Sequence, residues 1–274
     1  MVTGAGRGIG RAYAELLAER GARVVVNDVD GEPAAEVVAA IGDGAGAIAD
    51  SSDVSTVDGA CALVAAAVDA FGGVDVVINN AGIIRWGGFP EVDAGNLAAH
   101  LAVHVGGSFH VTHAAWPHMV ERGYGRVVMT TSSGLFGLPD NTSYATAKAA
   151  IVGLTRSLSL AGAAHGIKVN AIAPAAFTRM AGRGEATPEM APALVAPMAA
   201  YLAHEACPVS GEIYAAGFGR FSRIFVATTG GYVDPSATVE NVAAHWAEIN
   251  DESGYDVPRD LMAWSAAFSA HLPR

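Results

Sequence analysis

The sequence predicts a doubly wound α/β fold, a parallel sheet with helices on both faces, and three observations predict it. Short apolar, β-branched runs alternate with longer Ala/Leu-rich segments. The runs are apolar almost throughout, as strands buried on both faces must be, and the segments between them are long enough to be crossover helices. In order, Met1 to Thr3 form a first strand and Gly8 to Arg20 a helix, followed by a strand at Arg23 to Asp28 and a helix at Pro33 to Ile41. A helix at Ser55 to Phe71, a strand at Val74 to Asn79 and a long helix at Asn96 to Arg122 come next. The pattern closes with strands at Gly125 to Met129 and Ile167 to Ile172 around a helix at Ser143 to His165. A central strand usually has about five or six residues, and only three precede Gly4, so either native residues precede the numbered chain or this strand is unusually short.

No linker, repeat or charge block divides the pattern, which predicts one domain over residues 1–219. Residues 220–274 differ in character. They offer "FSRIFVATT", a turn at "GGYVDPS" and helices at Thr238 to Ile249 and Asp260 to His271, and are expected to be a C-terminal extension packed on the same domain.

Composition narrows the partners. Of the 274 residues, 51% are hydrophobic and 16% charged, which excludes a disordered chain. So much apolar surface is expected to meet other subunits, in a homodimer or homotetramer. The formal charge of −11 argues against nucleic acid and anionic lipid as partners. No apolar run is long enough to span a bilayer, and "MVTGAGRGIG" lacks the greasy core of a signal peptide. Cys61 and Cys207 are the only cysteines, with no Cys-x-x-Cys, so disulfide scaffolds and thiolate metal sites are not expected. The expectation is a reduced, cytoplasmic protein acting on a small molecule.

Gly4, Gly6, Gly8 and Gly10, with Arg7 and Ile9 among them, lie between the first strand and its helix. Glycines there let the backbone approach a pyrophosphate, and the N–H groups of the helix supply the anion site. Asp28 closes the second strand about 20 residues later, where a carboxylate accepts from ribose hydroxyls and repels a 2′-phosphate. NAD is therefore favoured over NADP. The opposing signal is Arg7, whose cation could neutralise a 2′-phosphate.

Tyr144 and Lys148, four apart on a helix, share one face. With 7 Tyr and two Lys in the chain, only about 0.05 such pairs arise by chance. A phenol with an unperturbed pKa near ~10 is a poor base at neutral pH, and an adjacent ammonium, helped by an oxidised nicotinamide, favours phenolate. The run Thr130-Thr131-Ser132-Ser133 follows a strand and can aim a hydroxyl at a substrate oxygen. Histidines 100, 104, 110, 113 and 118 raise the question of a metal, but Leu101 stands where a zincin needs Glu, and no convergent carboxylate is visible, so no metal is expected. Neither lysine follows a glycine, and no Gly-x-Ser-x-Gly occurs, which removes P-loop and α/β-hydrolase readings.

Together these residues resemble the short-chain dehydrogenases/reductases. The matching pieces are "TGAGRGIG" at Thr3 to Gly10, Asp53-Val54, "NNAG" at Asn79 to Gly82, the hydroxyl loop, "YATAK" at Tyr144 to Lys148 and "NAIAP" at Asn170 to Pro174. The resemblance implies a Rossmann-type sheet and NAD(P)-dependent interconversion of alcohol and ketone. It implies Tyr144 as general acid/base, Lys148 on the nicotinamide ribose and lowering the tyrosine pKa, and a serine on the substrate oxygen. It also implies cofactor contacts at Gly4, Arg7, Gly8, Ile9, Gly10, Asp28, Asp53, Val54, Asn80, Ala81, Gly82, Tyr144, Lys148, Pro174 and Thr178.

Three departures matter. Counting back 13 residues from the tyrosine gives Thr131, whereas counting from the strand gives Ser132; Ser132 is chosen, with Ser133 and Thr131 as alternatives. The asparagine common in the preceding helix is replaced by His104, and Pro-Gly after the sixth strand by Pro174-Ala175. His104 either packs as a structural replacement, the favoured role, or joins a catalytic proton path through Lys148. Over nearly the whole chain, including "SATVENVAAHWAEIND" at Ser236 to Asp251, the sequence is similar to the (3R)-hydroxyacyl-CoA dehydrogenase units of multifunctional β-oxidation enzymes and their single-domain bacterial relatives. That implies a 3-hydroxyacyl-CoA substrate. A steroid or small ring alcohol is the alternative substrate, and a cofactor-sensing binding protein the alternative outside enzymes.

Overall fold

A computed structural model describes residues 1–42, 46–181 and 187–272. The elements run β1 (Val2–Thr3), α1 (Gly8–Glu19), β2 (Val25–Asn27), α2 (Gly31–Ile41), β3 (Ile48–Asp50), α3 (Val57–Phe71) and β4 (Val76–Asn79). Then come α4 (Ala94–His100), a π-helical segment (Leu101–Gly106), α5 (Gly107–Arg122), β5 (Gly125–Thr130), α6 (Thr142–Gly162) and β6 (Ile167–Ala175). The series ends with α7 (Ala196–Ala203), β7 (Ile213–Gly217) and β8 (Arg220–Ile224).

The eight strands form one sheet in the order β3-β2-β1-β4-β5-β6-β7-β8, parallel from β3 to β7. The sheet is the doubly wound, Rossmann-type arrangement. Val2 of β1 faces Val26 on one side and Ile78 on the other. β1 is as short as its sequence implies, yet the ladder continues past it through Ala5 N–H to the Asn27 carbonyl at 2.7 Å. Chain order reverses between β1 and β4, which opens a crevice at the carboxyl ends of the strands.

The core follows from the apolar runs. Val2, Val26, Ile78, Val128 and Ile172 are buried against Tyr13, Ala14 and Ala18 of α1 and Ala199 and Leu202 of α7. Each large aliphatic side chain fully buried in this way contributes roughly 1.5 to 3 kcal/mol. On the other face α6 buries Ser143, Ala147, Ile151, Thr155 and Ser159, a stripe repeating every four residues. These are mostly small, so α6 lies close to the sheet and Lys148 can be enclosed beside them.

Two helices depart from expectation. The segment expected as one helix from Asn96 starts at Ala94 and passes through the π-helical segment before α5, where the His100 and His104 side chains bond to a neighbouring loop. The segment expected from Thr238 is α8 (Val239–Ala244) followed by α9 (Trp246–Ile249), and the last helix is α10 (Leu261–Phe268). Contacts divide the chain into Met1–Arg223 and Ile224–Arg274, beyond Gly219 because Arg220–Ile224 extends the sheet. Within the second unit, Tyr232 stacks on His245 at 3.8 Å and Trp264 on Phe268 at 4.6 Å. No helix of the described residues is long and apolar enough to cross a membrane.

Candidate active site

The glycine turn sits at the crevice and is held from below. Thr3 Oγ1 accepts from the N–H groups of Asn80 and Ala81, both at 3.0 Å, and the Asn80 amide donates to the Thr3 and Gly4 carbonyls, again at 3.0 Å. Asn80 therefore shapes the turn, a role that the motif alone does not distinguish from direct cofactor contact. Gly4 and Gly8 take φ of +60° and +57°, which favours glycine. A Cβ on Gly10 would stand 2.2 Å from the Gly4 carbonyl oxygen and 2.5 Å from the Asn80 amide nitrogen. One on Gly8 would stand 3.4 Å from the Thr178 methyl, so the turn and the loop after β6 lie side by side.

Asp28 turns its carboxylate to the same place. Its Oδ2 accepts from Gly6 N–H at 3.0 Å and its Oδ1 from Asp30 N–H at 3.1 Å. Arg7, extended at the start of α1 and capping nothing with its side chain, pairs with Asp30 at 2.6 Å. That pairing raises the guanidinium pKa and lowers the Asp30 carboxyl. Asp30 was not singled out from the sequence; its place two residues beyond Asp28 was the available signal. Asp53 is exposed and accepts from Ser55 N–H at 2.9 Å, while Val54 is buried under Gly107. Pro174 and Thr178 are half-buried, and the Thr178 hydroxyl accepts from Met180 N–H at 3.2 Å. An uncapped helix start, glycines at positive φ and a carboxylate at the end of β2 fit a dinucleotide.

The hydroxyl loop sorts itself by partner. Thr131 is fully buried and donates to the Lys148 carbonyl at 2.7 Å, which commits it to α6. Ser133 is exposed and opens a single 3₁₀ turn, Ser133–Phe136. Ser132 accepts from Gly134 N–H at 3.0 Å, and its Oγ and the Tyr144 ring flank Gly134, each 3.3 Å from where a Cβ there would stand.

Lys148 is buried and donates from Nζ to the Thr130 carbonyl at 2.7 Å, with Nζ 5.6 Å from the centre of the Tyr144 ring. Burial pushes the ammonium down to about 7. Burial also pushes the Tyr144 phenol up, and the neighbouring Ser132 hydroxyl opposes that rise. Desolvation thus works against both charged forms in the chain by itself, and the easing of the phenol toward phenolate is expected of the ammonium together with an oxidised nicotinamide.

His104 and His100 are both fully enclosed and stack parallel, 5.8 Å apart with 9° between the planes. Each ring stands edge-to-face with Tyr144, at 5.4 Å for His104 and 6.2 Å for His100. His104 Nε2 lies 2.8 Å from the Ile83 carbonyl oxygen and 3.2 Å from its N–H nitrogen, and Nδ1 has no partner among the described residues. Burial first, then the Lys148 charge, lowers His104 to about 2, so it is neutral at working pH. Its ring also fills the space a Cβ on Gly82 would need, 2.5 Å from Cε1. Among the described residues no group of three or more His, Cys, Asp or Glu could hold a metal ion.

Apolar side chains rim this end of the molecule. Phe136 and Leu138 are exposed, and Leu135, Phe177 and Met180 half-buried. The sequence reading missed Trp86 and Phe89, both exposed, on a segment tied to the start of α6 through Gly87 N–H to the Asp140 carbonyl at 2.8 Å.

Residues 1–188 match the short chain dehydrogenase family. The chain is 45% identical to a short-chain type dehydrogenase/reductase of Mycobacterium tuberculosis, over 93% of this chain and 94% of that one. It is 37% identical to the mouse peroxisomal multifunctional enzyme type 2 over 95% of its own length, and there it spans only 38% of the relative. A 7α-hydroxysteroid dehydrogenase solved with NADH and 7-oxo glycochenodeoxycholic acid superposes with a TM-score of 0.74 at 32% identity, covering 80% of this chain and 92% of that one. Sheet order, glycine turn and the Tyr144/Lys148 pair agree with the sequence match: the chain belongs to the short chain dehydrogenase family of oxidoreductases.

Proposed function

We propose that this oxidoreductase uses NAD to interconvert a secondary alcohol and a ketone, with a 3-hydroxyacyl-CoA as its substrate class. The observation that carries the reaction is the cluster of Ser132, Tyr144 and Lys148 at the crevice, with Ser132 Oγ and the Tyr144 ring flanking Gly134 and Lys148 Nζ 5.6 Å from the ring centre. Support for the substrate class comes from similarity to peroxisomal multifunctional enzymes along 95% of the chain. The apolar rim of Trp86, Phe89, Phe136 and Leu138 suits an acyl chain. We further read the protein as a cytoplasmic homodimer or homotetramer.

Gly4, Gly8, Gly10 and the first turn of α1 would hold the pyrophosphate, Asp28 the adenosine ribose, Lys148 the nicotinamide ribose and Thr178 the carboxamide. Bound oxidised nicotinamide supplies the hydride acceptor and a positive charge beside the phenol. Tyr144 takes the hydroxyl proton of the substrate, and Ser132 holds the same oxygen as charge develops on it. Lys148, near its titration point at about 7, can release or regain a proton within the working range. Preference for NAD follows from charge: a 2′-phosphate would meet the carboxylates of Asp28 and Asp30, while Arg7 is already paired with Asp30.

A second reading, a hydroxysteroid dehydrogenase, is favoured by the likeness to the 7α-hydroxysteroid enzyme. A panel of 3-hydroxyacyl-CoAs and hydroxysteroids, each assayed with NAD⁺ and NADP⁺, separates the two. Turnover of 3-hydroxyacyl-CoAs with NAD⁺ at the higher kcat/KM is expected. Faster steroid oxidation would favour the second reading, an NADP⁺ preference would overturn the cofactor assignment, and binding without turnover would leave a cofactor-sensing protein.

A further inference from the structure

We infer that His100 is a positioning residue for Tyr144: together with His104 it clamps residues 83–87, to which the first turn of α6 is tied. The inference rests on the proposed role of Tyr144 in proton transfer.

The segment after "NNAG" is held at every second residue. Ile83 meets His104 Nε2 through its backbone. Arg85 donates its N–H to His100 Nε2 at 3.2 Å, and its carbonyl accepts from the Asn96 amide at 3.1 Å. Gly87 donates to the Asp140 carbonyl at 2.8 Å and accepts from Thr142 N–H at 3.3 Å. Thr142 begins α6, two residues before Tyr144.

A register match makes this clamp possible. The two rings, one on each side of the junction between α4 and the π-helical segment, stand 5.8 Å apart, close to the roughly 6.6 Å between alternate residues of an extended chain. Two histidines at that spacing can therefore address two alternate residues of the segment alongside. His104 pairs with residue 83 and His100 with residue 85, so segment and helix run in opposite directions.

His100 has a defined tautomer. Nδ1 lies 2.8 Å from the Asn96 carbonyl and can only donate to it, so Nε2 carries the lone pair that Arg85 N–H needs. The same ring stands edge-to-face with Tyr144, so the segment, the two imidazoles and the phenol form one packed unit. Removing the Nε2 acceptor frees residues 85–87 and, through Asp140 and Thr142, the first turn of α6.

The test compares His100→Phe, which keeps a ring but has no acceptor, with His100→Gln, whose amide oxygen reaches about as far as Nε2. NAD affinity is followed by intrinsic fluorescence, and kcat and KM are measured on the best substrate. His100→Phe is expected to lower kcat about tenfold or more with the NAD Kd within twofold of wild type, and His100→Gln to recover kcat to within about threefold. Equal kcat for both variants and wild type, whatever their thermal stability, would overturn the inference, as would equal losses in both. If His100→Phe does not fold, Asn96→Ala loosens the same Arg85 anchor from a half-buried position. It should then lower kcat several-fold at unchanged Kd, and a wild-type kcat would overturn the clamp. Tyr144→Phe run in parallel keeps the two failures apart: if it retains activity, the role of Tyr144 has failed, independently of His100.

Discussion

At position 104 a histidine occupies the place where asparagine is common among the relatives this sequence resembles, and one ring nitrogen faces both the N–H and the C=O of Ile83. A nitrogen that holds a proton can serve only the carbonyl, and one that holds a lone pair only the N–H. An asparagine amide has an atom for each, so His104→Asn should keep most of the activity. A large loss of kcat with a displaced acid limb in the pH–rate profile would instead put the imidazole in the proton path. The same substitution has a stability signature. The folded pKa is lowered to about 2, whereas the unfolded chain titrates near ~6.5, so acid protonates the unfolded state first and the contribution present above that value is lost as pH falls. Between pH 7 and pH 5 this one group removes about 2 kcal/mol, and the urea-derived stability of His104→Asn should fall by that much less over the same interval. Equal falls would contradict the buried neutral assignment. Ser132→Ala should lower kcat by roughly 10² to 10³, whereas Ser133→Ala, at an exposed position, should stay near wild type; the reverse order would move the substrate oxygen to Ser133.

The elements differ in how plainly the sequence announces them. Tyr144 and Lys148 share a face because α6 is a regular helix, and nothing beyond spacing was needed to pair them. The choice among Thr131, Ser132 and Ser133 needed coordinates, since only the Thr131 bond to the Lys148 carbonyl and the exposure of Ser133 separate three similar hydroxyls. The π-helical segment and residues 83–87 were not legible, because side-chain bonds from His100 and His104 to a distant backbone leave no periodicity in either stretch. The three-residue strand β3 was too short to stand out as an apolar run. The glycine turn was legible as a tight turn between β1 and α1, and its close packing gives a test of the phosphate contact proposed for it. Gly10→Ala places a methyl 2.2 Å from the Gly4 carbonyl oxygen. Overpacking of this kind costs about 1 to 3 kcal/mol, so the thermal midpoint should drop and NAD affinity should fall more than tenfold in a fluorescence titration. Wild-type affinity would show that the turn does not cradle the cofactor.

At the scale of the whole molecule, charge and apolar surface set the remaining expectations. None of the described residues from Ile224 to Leu272 is buried, and Val239, Trp246, Leu261 and Met262 are exposed. Phe109 on α5 and Leu160 on α6 are exposed as well. Apolar surface of this extent favours association, and light scattering at micromolar concentration should give a dimer or tetramer mass; a monomer would contradict it. The proposed site draws on the ends of β1 to β6, so the proposed reaction depends on the fold as a unit, while the proton transfer assigned to Tyr144 depends on one atom, its hydroxyl oxygen. Tyr144→Phe removes that oxygen and keeps the ring against His100 and His104. The most direct test is NADH formation by this variant and by wild type on the same 3-hydroxyacyl-CoA, with NAD binding measured on both. The account predicts an unchanged fold, NAD affinity within a few-fold and turnover lost by orders of magnitude; activity within tenfold of wild type would contradict it.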